Sequence, residues 1–89
     1  MSEELQLRKT ALISTKQQCE FRLRSLELAL TEGEDPFVLK IRLENSENLL
    51  GQYLSTCHQL KSASPSDFII DEVRTFEKQF YVLTSKAKS

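Results

Sequence analysis

Apolar residues recur every three or four positions through most of this chain, and two prolines cut the pattern into three pieces. Such spacing puts side chains on one face of an α-helix, whereas a strand requires alternation, which nowhere lasts more than a few residues. The fold class this implies is all-α. In the first piece the stripe is Leu5, Leu12, Cys19, Leu23, Leu26 and Leu30, but Lys9 and Lys16 hold positions that the pattern reserves for apolar residues. In the second it is Leu39, Leu43, Ser46, Leu50, Tyr53, Cys57 and Leu60, broken only by Ser46. The third, Ile69, Val73, Phe76, Phe80, Leu83 and Ala87, has no break, so Phe76 and Phe80 are expected to serve equally as core residues.

The boundaries have their own chemistry. Gly33 can take the left-handed conformation that ends a helix. Asp35 can accept from free backbone amides, and Pro36 supplies a helical φ where no donor is needed. Ser64-Pro65-Ser66-Asp67 reads as a cap, a proline and an acid, a capping box with Asp67 in place of the usual Glu. Helices are therefore expected over residues 4–31, 36–61 and 65–87 of a single domain spanning 1–89. Only two glycines and two prolines are present, so little of the chain is left for irregular loops. Connections of about four or five residues turn consecutive helices antiparallel. The expected architecture is a three-helix up-down-up antiparallel bundle with coiled-coil-like packing.

Each of three packed helices faces two neighbours and needs a stripe wider than a single seam. Val38, Ile41 and Leu49 can widen the second helix, Leu7, Ala11, Phe21 and Leu28 the first, and Ile70 and Tyr81 the third. Either these residues complete the core, or some form an exposed apolar patch for a partner. Phe21 and Leu28, one heptad apart and off the main seam, lead that second reading. Lys9 and Lys16 loosen the start of the first helix, which would offer Leu5, Leu7 and Leu12 to another chain, a second copy in a homodimer included.

Charge narrows the function classes. The formal net charge is −1, too little positive charge for bulk attraction to nucleic acid or anionic lipid. Arg8, Lys9, Lys16, Arg22 and Arg24 make a candidate basic face on the first helix, opposed between residues 8 and 24 only by Glu20. They lack interleaved aromatics for base stacking, so nucleic acid stands as a minor alternative. The third helix opens with Asp67, Asp71 and Glu72, which can pair with that basic helix inside the bundle or between chains.

No cofactor or metal is expected. Cys19, Cys57 and His58 fall short of the four ligands of a structural zinc site, and adjacent Cys57 and His58 diverge by about 100° on a helix. Cys57 on the seam reads as a small apolar core residue, and both cysteines as reduced thiols. With one histidine, no phosphate loop and no nucleophile elbow, an enzyme with a small-molecule substrate is not expected. Glu44 and Glu47, one turn apart, read as a solvated face. No apolar run approaches the eighteen or so residues that span a bilayer. The acidic start Met1-Ser2-Glu3-Glu4 is unlike a signal peptide, so an intracellular setting, cytoplasmic or nuclear, is expected. The end at Ser89 carries no stop signal, which leaves a longer parent chain open.

The second half also carries a recognisable pattern. The run RLENSENLLGQYLSTCHQL (residues 42–60) followed by DEVRTFEKQFYVLTSKAKS (residues 71–89) resembles the helical N-terminal Gag-like domain of Pao-type retrotransposon polyproteins. In that family an RLE…LE helix precedes an FE..YY.L helix. Arg42-Leu43-Glu44, Phe76-Glu77, Phe80-Tyr81 and Leu83 stand at the matching positions over residues 36–89. Thr15-Lys16 stands where the family's first helix carries a Thr-Arg pair. The resemblance implies self-association or partner binding and no catalytic residues. Two functional expectations follow: a non-enzymatic protein-interaction or self-association module, and alternatively a spectrin-like spacer within a longer chain.

Overall fold

The computed structural model describes residues 2–88, and the described chain is all-α. Helix α1 spans Ser2–Thr31, α2 Pro36–Asn45, α3 Leu49–Ala63 and α4 Ile70–Lys88, with a 3-10 turn at Pro65–Asp67.

The end of α1 follows from Gly33, which sits at φ +71°. The Glu34 amide reaches back to the Ala29 carbonyl (3.1 Å) and the Gly33 amide to that of Leu30 (3.3 Å), a Schellman closure. Asp35 then caps α2 through its Oδ1, which accepts from the Phe37 amide at 2.8 Å, with Pro36 in the first turn. Arg42 Nε lies 2.7 Å from Glu34 Oε2, tying the new helix to the turn before it.

Two expected boundaries are corrected. The second helix is not continuous over 36–61 but breaks at residues 46–48 into α2 and α3. There the Ser46 and Glu47 amides bond the carbonyls of Leu43 and Glu44, three residues back rather than four. Asn45-Ser46-Glu47-Asn48 holds three residues whose short polar side chains compete for the backbone, so the helix tightens and stops. Beyond the break Tyr53, Cys57 and Leu60 are buried as the register expects, and Leu49, expected beside the seam, is buried more fully than Leu50.

The last helix begins at Ile70 rather than 65. Ser64 makes no side-chain cap bond to the backbone; its hydroxyl donates to Asp67 Oδ2 instead. Phe68 is extended (φ −92°, ψ 119°), which lets its ring pack on the core while the Lys61 ammonium stands 5.3 Å from the ring centroid.

The core joins Cys19 and Leu23 of α1, Leu49, Tyr53 and Cys57 of α3, and Phe76 and Leu83 of α4. At its centre the Tyr53 and Phe76 rings stack at 3.7 Å between centroids, 5° from parallel. α1 packs most extensively on α3. Partners run in opposite order along α1 and α3, from Glu20 with Tyr53 to Arg22 with Gln52. Along α1 and the run from the 3-10 turn into α4 they rise together, from Lys9 with Asp67 to Lys16 with Glu72.

Candidate interaction surface

Six of the eight residues from Pro36 to Leu43 are apolar, yet no residue of α2 is buried. Leu39 and Leu43 are half-buried, while Val38 and Ile41, expected to widen the core, are exposed. Phe37 is 79% exposed. The reason lies in the break after Asn45. It ends α2 before the helix can share the α1–α3 packing, and α2 lies beside α4 with few contacts. Between them runs an open groove of about 740 Å³, lined by Leu39, Leu43, Phe80, Tyr81, Thr84 and Ala87 with Lys40, Glu44 and Glu47 at its edges. Phe80 is therefore only half-buried, unlike Phe76, so the expected equivalence of the two does not hold. Tyr81, also expected to widen the core, is exposed on the groove, and Ile70 is exposed at the start of α4.

The other apolar candidates do not gather into one surface. Phe21 (66% exposed) and Leu28 (52%) lie on the side of α1 away from its buried stripe. Leu28 borders a shallow hollow with Glu34 and Arg42, on the flank where α1 meets α2. Leu5 and Leu7 are exposed near the start of α1 and, two residues apart on a helix, face different ways. Leu12 is half-buried, and Ala11 is exposed.

The basic residues of α1 do not form a common face either. Lys9 Nζ pairs with Asp67 Oδ2 at 3.0 Å, and Lys16 Nζ donates to Glu72 Oε1 at 3.0 Å. Arg22 donates to Gln52 Oε1 (3.4 Å) and to the Asn45 carbonyl (3.2 Å), so it also braces the α2–α3 break. Arg8 and Arg24 are exposed. Asp67 and Glu72 are thus used within the chain. Lys16 shows how a lysine fits on an apolar seam. Its side chain is only 13% exposed, its stem lies along the core edge, and its ammonium stands between Glu72 and Glu20 (4.0 Å). Glu20 Oε2 in turn accepts from the Tyr53 hydroxyl at 3.1 Å, satisfying the one polar atom that this wholly buried ring carries inward.

Titration follows packing. Burial, reinforced by Cys57 and Glu20, pushes the Tyr53 hydroxyl far above its ordinary value. Burial raises Cys19 and Cys57 as well, so both free thiols are poor nucleophiles. Asp67 moves the other way: the Ser64 hydroxyl, then Lys9, hold its carboxyl below 3.8. Among the described residues no three His, Cys, Asp or Glu side chains converge to hold a metal ion. Nor is any described helix long and apolar enough to cross a membrane.

The sequence leaves Val38, Ile41 and Tyr81 open between core and exposed patch, favours Phe21 and Leu28 for the patch, and gives Phe37 no role. The available signal was the density of apolar residues around the whole circumference of α2, more than one buried face can use. Comparison of the chain with protein-family models, curated proteins and solved structures yields no match.

Proposed function

We propose that this domain is a non-enzymatic protein-interaction module whose working surface is the α2–α4 face. The observation that carries the reading is a helix rich in apolar residues with none buried, set beside an apolar groove. Contiguous exposed apolar surface on a small domain is the mark of a binding site rather than of a spacer, whose outer faces are polar. A groove flanked by two helices accepts the apolar side of a third, with anchors spaced one turn apart. Leu43 and Glu44 of the RLE motif, and Phe80 and Tyr81 of the second motif, all line this groove. A Gag-like origin, with assembly or partner binding as its role, accords with that placement.

Site-specific photocrosslinking in cells tests the proposal. A photoreactive side chain in place of Phe37, Ile41 or Tyr81 should give discrete protein adducts, of whatever identity. The same group in place of Gln59 or Ser62, exposed on α3, should give few. Equal yields from both sets would remove the α2–α4 face from consideration.

A further inference from the structure

Building on the interaction reading above, we infer that the partner of the α2–α4 face is a second copy of this chain, docked about a two-fold axis that crosses α2 near Arg42. The face presents both halves of its own complement. Phe37 and Ile41, one turn apart, form an exposed ridge along α2, and the groove between α2 and α4 runs beside that ridge. A two-fold contact requires such a self-complementary patch, because each copy must supply what the other lacks.

Charge selects the arrangement. Lys40 and Glu44 stand one turn apart at the groove edge, and neither makes an ion pair within the chain among the described residues. Antiparallel packing of α2 on α2 can set Lys40 of each copy against Glu44 of the other, giving two ion pairs about the axis. In that register Phe37 falls level with Glu47 and Ile41 with Leu43 of the second copy, both of which line its groove. A parallel pairing, or an antiparallel one centred on Lys40 or on Glu44, places like charges face to face, which costs affinity. One register therefore satisfies both the ridge and the charges. A standard interface takes about 800 Å² per partner, roughly an eighth of the 6489 Å² accessible surface of this molecule. The ten-residue α2 with the end of α4 supplies an area of that order at most, so the dimer is weak and concentration-dependent.

Sedimentation equilibrium from micromolar to near-millimolar concentration tests this. The wild-type chain should show a reversible monomer–dimer equilibrium. Lys40→Glu and Glu44→Lys should each raise Kd about tenfold or more by setting like charges together. Mixing the two variants in equal amounts should restore dimerisation, because an all-acidic face then meets an all-basic one. The double variant Lys40→Glu/Glu44→Lys should dimerise like wild type, which separates charge matching from any loss of fold. A strict monomer throughout, or a dimer indifferent to both single variants, or a mixture no tighter than its components, overturns the inference. Were the chain monomeric while Phe37 and Ile41 positions crosslink to a different protein, the homodimer would fall and the interaction reading would stand.

Discussion

The middle of the bundle and its α2 end are built from the same apolar repeat but packed to different degrees. Tyr53 and Leu39 belong to one expected stripe, yet Tyr53 is enclosed by α1 and α4 while Leu39 borders an open groove. Around Tyr53 three helices meet, and even the polar atoms have partners: the tyrosine hydroxyl on Glu20, the Lys16 ammonium on Glu72. Around Leu39 the packing is sparse, because the ten-residue α2, set off by a break, lies beside the end of α4 across an open groove. An apolar periodicity thus states which side chains share a face. It does not state whether a neighbour is present to cover that face.

The same distinction explains what the sequence disclosed. The all-α class, the turn at Gly33 and the Asp35-Pro36 cap were legible because each depends on local backbone chemistry. The break at residues 46–48 was visible only as Ser46 in an apolar series, since one polar residue rarely ends a helix; the cluster of Asn45, Ser46 and Asn48 does. The delayed start of α4 was hidden because Ser64 and Asp67 satisfied a capping pattern that the backbone uses for a 3-10 turn instead. The groove was not legible at all, because it exists only through the placement of α2 against α4.

The contrast can be broken most forcefully by deletion of aromatic rings. Phe76→Ala removes half of a buried stack and should cost about 3–5 kcal/mol, whereas Phe80→Ala, at the groove, should cost only about 1–2 kcal/mol. Thermal or urea unfolding of the two variants decides it. Equal losses would mean that Phe80 is as enclosed as Phe76.

A second probe addresses the junction between the start of α1 and the 3-10 turn. The Asp67 carboxyl is held below its ordinary 3.8 by Ser64 and Lys9. A depressed carboxylate contributes stability that is complete above the unfolded value and is lost as pH falls through the lower folded value. Unfolding midpoints followed below about pH 4 should therefore drop less steeply in Asp67→Asn than in wild type. Superimposable pH curves would show that Asp67 gains nothing from its partners on folding.

The smallest effect on stability is expected where the surface is most apolar. Phe37→Ser and Ile41→Asp should each change stability by no more than about 0.5 kcal/mol, because Phe37 stays 79% and Ile41 54% exposed in the folded chain. The same two changes should abolish adduct formation by a photoreactive group placed at Tyr81. A loss of several kcal/mol on unfolding either variant would instead place α2 in the core.

Residue-resolved amide hydrogen exchange on the wild-type chain tests most directly whether α2 is a lightly held helix waiting for cover. In dilute solution, amides of residues 36–45 should exchange through local opening, far faster than those of α3 around Tyr53 and Cys57, which should require near-global unfolding. On raising the concentration or adding a crosslink-identified partner, only the α2 amides and those at the end of α4 should slow. If α2 is already as protected as α3 in dilute solution, the helix is part of the core and its apolar face is not a docking surface.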